Sequence, residues 1–104
     1  MTPYFNKYVG TDVLPYQTMA RVSDKTMTIR PMKAELDPTF RPVVITGGFA
    51  GHCTNNHDQF WTIYPDPKAP MIRIRLHKDG WWRDRAGNRY QAADEPVRFY
   101  DYNF

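Results

Sequence analysis

One cysteine, Cys53, stands in the whole chain, so no intrachain disulfide can close and packing alone must hold the fold. A lone thiol fits a reducing compartment or simple indifference to one. No apolar run approaches the roughly 20 residues needed to cross a bilayer, and the opening Met1-Thr2-Pro3-Tyr4-Phe5-Asn6-Lys7 lacks the apolar stretch of a secretory signal. A cytoplasmic protein with no membrane partner is therefore expected. Uninterrupted stretches are also scarce. Six glycines and nine prolines leave only two intervals longer than ten residues, 16–30 and 52–64, so long helices have almost nowhere to form. Leu, Ile, Val and Phe together number only twenty of 104 residues, a share at which a highly charged chain stays disordered. Here the net charge is only +3, and six Phe, seven Tyr and three Trp each bring a large apolar area to bury, which favours a folded chain. At this length there is room for one core, and residues 1–104 are expected to form a single domain.

What is plentiful is Thr, Val, Ile and aromatic residues, which suit pleated strands. Tyr16, Thr18, Ala20 and Val22 alternate with Gln17, Met19 and Arg21. Ser23-Asp24-Lys25 then supplies turn chemistry, and Thr26 to Arg30 resumes the alternation, predicting a hairpin. A helix would gather Tyr16, Met19, Ala20 and Met27 on one face but must run through Ser-Asp and three threonines. Met32 to Leu36 reads as a strand end or one helical turn, Val43 to Thr46 as a short buried strand, and Phe60 to Tyr64 as another strand. The pattern is cleanest in Met71 to His77, where Ile72, Ile74 and Leu76 face one way and Arg73, Arg75 and His77 the other. Turns at Lys78-Asp79-Gly80 and Ala86-Gly87-Asn88 set off Trp81 to Asp84 and Arg89 to Gln91, and an ordered last strand over 97–102 accounts for the aromatic chain end, with an exposed aromatic patch as the alternative. Short strands at this spacing predict a mostly β fold, a small antiparallel barrel or strongly bent sheet.

The densest group of reactive side chains is Gly51-His52-Cys53-Thr54-Asn55-Asn56-His57-Asp58. Cysteine catalysis needs a histidine to take the thiol proton and an orienting group behind it, roles open to His57 with Asp58, Asn55 or Asn56. Such groups normally converge from distant segments. Zinc would draw on Cys53, His57, His52 and perhaps His77, but His52 and Cys53 point to opposite faces of an extended strand and there is no second cysteine. Cys53 and His57 are thus the candidates for a zinc- or cysteine-dependent enzyme, against a structural reading of Cys53 as a small buried hydrophobe. The structural reading is preferred; no catalysis and no cofactor are expected. Gly47-Gly48-Phe49-Ala50-Gly51 implies positive φ angles or a close backbone approach. No Lys-Ser/Thr pair follows it and no helix begins there, so phosphate-loop and dinucleotide readings fail.

The second feature is electrostatic. Between Arg73 and Arg89 lie six basic residues (Arg73, Arg75, Lys78, Arg83, Arg85, Arg89) and two acidic ones (Asp79, Asp84), a local excess of four that is larger than the net charge of the whole chain. On adjacent antiparallel strands these form one stripe interleaved with Trp81, Trp82 and Tyr90. That mixture holds phosphates and stacks bases, and it equally anchors protein interfaces. Arginines on the solvent face of a hairpin are also common without any partner, and one tryptophan of an adjacent pair is usually core.

The order Tyr8-Val9-Gly10-Thr11, the hairpin from Met19 to Arg30, Gly47 to Cys53, Gln59-Phe60-Trp61, Arg73-Ile74-Arg75 and Phe99-Tyr100-Asp101-Tyr102-Asn103 resembles small proteins carried by bacteriophages and plasmids, over most of the chain. The opening half also looks like SH3-like barrels in its hairpin rhythm. The resemblance implies a mobile-element product of compact β type, and proteins of this kind include inhibitors of host defence such as anti-CRISPR proteins. The leading expectation is stoichiometric binding to a host macromolecule, a nucleic-acid-handling defence protein, with Arg73, Arg75, Arg83, Arg85 and Arg89 steering and Trp81, Trp82 and Tyr90 anchoring where exposed. Direct binding of DNA or RNA by the same hairpin is the alternative.

Overall fold

The structure, a computed structural model, describes residues 1–45, 52–53 and 55–103. It is mostly β, as the alternation predicts. In chain order the strands are β1 (Tyr4–Val9), β2 (Asp12–Ser23), β3 (Thr26–Pro31), β4 (Lys33–Leu36), β5 (Val44–Ile45), β6 (His52–Cys53), β7 (Trp61–Tyr64), β8 (Ile72–Leu76), β9 (Trp82–Arg83) and β10 (Arg89–Ala93), with one 3-10 turn over Asn56–Asp58. Six of them, β1, β2, β3, β8, β9 and β10, close into an antiparallel barrel in which each strand pairs with the next and β10 returns to pair with β1. Closure removes the open sheet edges through which other chains would pair. Residues 32–71 leave this meander as an excursion that pairs β4 with β7 and β5 with β6.

Curvature comes chiefly from β2. At 12 residues it is longer than an ordinary strand, and its register against β3 slips between Thr18 and Ala20 and again between Arg21 and Ser23. Each slip leaves an extra residue on β2, which bends the strand and tightens its twist. The inside of the barrel is filled by Phe5, Met27, Ile29, Ile74, Trp82 and Tyr90, with Tyr16, Ile72 and Leu76 packed against them. Phe5 meets Trp82, and Tyr16 meets Tyr90, edge to face at 5.1 Å between ring centres in both cases. A chain poor in aliphatic residues builds its core from rings, each burying roughly 150–250 Å².

The interval 16–30 is the hairpin, not the helix, because its threonines sit well on a pleated strand. Met32 to Leu36 is resolved in favour of a strand, β4, held by β7 through the register Lys33↔Tyr64 to Leu36↔Trp61. The strand expected over 43–46 is found as β5, but Val43 is exposed, and Thr46 and the glycine run 47–51 lie outside the described residues. The chain end is not a last strand. It makes one bridge, Val13 to Phe99, with backbone hydrogen bonds of 2.9 and 3.0 Å, and from there side chains hold it. Among the described residues no helix is long and apolar enough to cross a membrane.

Candidate polyanion-binding face

The strict alternation of β8 fixes the site. Ile74 is fully buried and Ile72 and Leu76 face inward beside it, so Arg73 and Arg75 are turned out to solvent. Pairing then aligns the neighbouring strands. Arg75 lies opposite Arg83 of β9, Arg83 opposite Arg89 of β10, and Arg89 opposite Tyr8 of β1. Three guanidinium-bearing positions thus share one row across three strands, at steps of about 4.7–4.9 Å. Like charges directly opposite one another destabilise a sheet, and the structure relieves two of the three. Arg83 donates to Asp79 Oδ2 at 2.7 Å and to the Gly87 carbonyl at 3.2 Å. Arg89 lies 4.8 Å over the ring of Trp81, which meets Tyr8 edge to face at 5.6 Å. Arg75 has neither kind of partner, and nor do Arg73 and Arg85 among the described residues.

Two turns frame this row. At 77–81, Gly80 takes φ +86°, its amide donates to the His77 carbonyl, and His77 N–H donates to the Trp81 carbonyl. Asp79 accepts from both Trp81 N–H and Arg83, and the Arg83 hydrogen bond, followed by that of Trp81, holds its carboxyl below the usual carboxylate range. The second turn is organised by Asp84, which accepts from Asn88 N–H at 3.0 Å, Asn88 Nδ2 at 2.8 Å and Tyr90 Oη at 2.8 Å. Burial pushes the Asp84 carboxyl up, but these bonds outweigh it and the group stays below its ordinary value. The Tyr90 phenol is driven upward, first by burial and then by Asp84. Arg85, at the tip of this turn, is exposed.

Between β8 and the Asp84 turn the surface sinks into a depression of about 440 Å³ lined by Arg73, Arg75, His77, Arg83, Asp84 and Arg85. A wider hollow of about 690 Å³ lies on the other side of Arg75 and His77, bordered by Lys25 and Lys78. Both hollows are cationic and Arg75 belongs to both.

The expected site residues therefore divide. Arg73, Arg75, Arg83, Arg85 and Arg89 come together on one outer face with half-buried Trp81. Trp82 and Tyr90 do not join them. Strand alternation turns both into the barrel, where Tyr90 is fully buried and Trp82 is 9% exposed, so neither ring is an exposed anchor. Of the aromatic half of the stripe only Trp81 remains, and Arg89 already covers it.

Cys53 and His57 are not brought into a catalytic arrangement among the described residues. Cys53 is buried and its thiol is 3.3 Å from Asn55 Oδ1, an amide oxygen with no capacity to remove a proton. His57 is exposed and stacks on Phe99 at 5.3 Å. No group of three or more His, Cys, Asp or Glu side chains suited to a metal occurs among the described residues. Replacing Cys53 by alanine is expected to leave ligand binding unchanged and to lower stability by about 1 kcal/mol through lost packing. Titration of the same ligand and a denaturant midpoint check both halves.

Sequence reasoning missed a polar clasp that ties the chain end to the excursion. Asn56 Nδ2 donates to Asp101 Oδ1 at 2.9 Å, while Asn56 Oδ1 accepts from Tyr102 N–H at 3.0 Å. Gln59 donates to the carbonyls of Asn56 and Tyr100 and accepts from Trp61 Nε1 and Tyr100 N–H. Asn103 pairs with the Cys53 backbone through both its amide atoms, at 2.6 and 3.0 Å. Arg98 lies 4.8 Å over Trp61 and donates to the carbonyls of Val13 and Phe99. The signal was present as polar residues at 101 and 103 interleaved with aromatics, but its partners at 53–59 are distant in sequence.

In comparisons with known proteins, no family model, no curated protein and no solved structure matches this chain.

Proposed function

We propose that this is a non-catalytic binding protein that holds nucleic acid by its phosphates on the outer face of β8, β9 and β10. The observation that carries this reading is the set of guanidiniums of Arg73, Arg75 and Arg85, unpartnered among the described residues and placed on one face with Arg89. Guanidinium forks match phosphate oxygens in pairs. Surplus positive charge on one face of a barrel focuses a field that draws in anions. With Trp82 and Tyr90 inside the core and Trp81 covered, stacking on bases has little surface to work with, so binding is through the backbone and insensitive to base sequence. In the mobile-element setting that the resemblance implies, such a protein would cover nucleic acid in stoichiometric complex and keep it from host defence proteins, an anti-CRISPR-like role. A second reading, capture of an acidic surface on a host defence protein, is favoured by the Tyr8, Trp81 and Arg89 stack, whose residue types anchor protein interfaces. Nucleic-acid-handling proteins themselves tend to be cationic around their ligand, which favours the first reading over the second.

Fluorescence anisotropy with a labelled 20-base-pair duplex of arbitrary sequence tests it. Four neutralised phosphates give a slope of log affinity on log salt of about −3 to −4. Replacing Arg73 and Arg75 together by glutamate is expected to weaken binding at least about tenfold and flatten that slope by about 2, with the unfolding midpoint nearly unchanged because both side chains are outside the core. Undiminished binding by the double variant would remove this face from the account. A salt-resistant complex with an acidic host protein, and no affinity for the duplex, would replace the first reading by the second.

A further inference from the structure

Within that face the 440 Å³ depression is built differently from the row around it, and its occupant can be specified. The side chains of four arginines, Arg73, Arg75, Arg83 and Arg85, line it together with that of one acidic residue, Asp84. Asp84 accepts from the neutral groups of Asn88 and Tyr90 and so keeps its negative charge, while Asp79 offsets Arg83. Arg73, Arg75 and Arg85 make no ion pair among the described residues, and set against the Asp84 carboxylate they leave a net excess of about two positive charges at the concavity. An internal phosphodiester carries a single negative charge and passes along a surface; it neither fills a hollow nor balances an excess of about two positive charges. A terminal phosphate carries about −1.5 to −2 at neutral pH, and a triphosphate chain carries more. The volume falls inside the roughly 300–1,000 Å³ of small-molecule sites.

We propose that this depression is a binding site for a terminal, multiply charged phosphate or polyphosphate group, the chemistry shared by a free nucleotide and by the 5′ end of a nucleic acid. The inference rests on the phosphate-binding reading above but makes a narrower claim, that phosphate ends are preferred over internal phosphates. Arg73 and Arg75 form one wall because they occupy alternate positions on β8. Arg85 forms the other, carried on the turn that Asp84 fixes, so the two walls are held apart by the barrel itself. His77 adds an imidazole N–H to the rim.

The full chain should be titrated with three probes: a duplex bearing 5′-phosphates, the same duplex with 5′-hydroxyls, and adenosine triphosphate, with inorganic triphosphate as a competitor. The expected result is about tenfold tighter binding of the phosphorylated duplex than of the hydroxyl duplex, and displacement by inorganic triphosphate. Arg85→Ala, which removes no hydrogen bond or ion pair among the described residues, should weaken binding of the phosphorylated duplex more than that of the hydroxyl duplex, so that the ratio of the two affinities falls from about tenfold to about one. Saturable binding of adenosine triphosphate, competed by inorganic triphosphate and lost in Arg85→Ala, also supports the site and identifies a free nucleotide as a source. Equal affinity for the two duplexes, with no binding of either triphosphate, overturns the site while the broader face survives. No binding of any probe overturns both.

Discussion

Trp82→Ala is expected to lower the unfolding free energy by about 3–5 kcal/mol, whereas Trp81→Ala, one residue earlier, should cost no more than about 1 kcal/mol. Trp82 faces Leu76 on one side and Tyr90 on the other across the barrel's pairing and packs edge to face on Phe5, so its removal leaves a large void among Phe5, Ile74 and Tyr90. Rigid rings around the void cannot collapse to fill it, which places the cost in the upper part of the range seen for large-to-small changes. Total stability for a domain this size is about 5–15 kcal/mol, so the variant should melt at least about 15 °C lower. Trp81, the residue just before β9, points to the opposite side, where its loss removes contacts with Tyr8 and Arg89 but opens no interior cavity. Urea midpoints with unchanged slope in both variants would measure the difference. Equal losses would contradict the in-and-out assignment of the two indoles and with it the placement of Arg83 on the outer face.

That contrast also shows how far residue patterns alone carried. Period-two alternation located β8 and the sidedness of Arg73 and Arg75, because the in-and-out pattern of a strand is a local property of its own side chains. It also located the 16–30 hairpin and the two turns before β9 and β10. The same rule, carried through Trp81-Trp82, says that one indole must be inside, but only the pairing of Leu76 with Trp82 and Trp82 with Tyr90 says which. Tyr90 stands next to Arg89 in sequence, and on a strand that adjacency places it on the other face, inside the barrel. Barrel closure through β1 and β10 joins residues more than 80 positions apart, a relation that no local pattern encodes.

The chain end marks the opposite limit. Residues 97–102 have strand-like composition, with Val, Phe and Tyr, but β1 is paired on both sides and β2 is clear of β3 only over residues 12–15, a short edge interrupted by Pro15 on which the single Val13 to Phe99 bridge forms. Backbone groups denied a ladder must find other partners. Side-chain amides supply them: Asn6 accepts from Val97 N–H and donates to the Glu95 carbonyl, Gln59 serves both the N–H and the carbonyl of Tyr100, and Asn56 accepts from Tyr102 N–H. The reactive-looking run around Cys53 is thereby accounted for in part as a set of substitutes for missing sheet bonds.

Asn56→Ala is accordingly expected to cost about 3 kcal/mol, because it strips partners from Asp101, Tyr102 N–H and Gln59 at a site that is 7% exposed. The loss should be local first. Amide hydrogen exchange over 97–103 should speed up well before exchange in the β1, β2, β3 and β8 amides, since the barrel core makes no use of Asn56. Acid should act on the same clasp. Hydrogen bonds from Thr11, from Asn103 N–H and from Asn56 hold the Asp101 carboxyl below its ordinary value, with Thr11 contributing most. A carboxylate whose folded-state value is depressed gives stability that is fully present above the unfolded value of about 3.9 and fades as pH falls through the folded one. The tail should therefore stay protected at pH 6 and loosen below about pH 4, and Asp101→Asn should remove that dependence from the tail while Asp79 and Asp84, also depressed, keep the turns before β9 and β10 sensitive to acid. Tail exchange that is unchanged both in Asn56→Ala and at about pH 3 would mean that the aromatic contacts of Phe99, Tyr100 and Tyr102, not the amide network, hold the end of the chain.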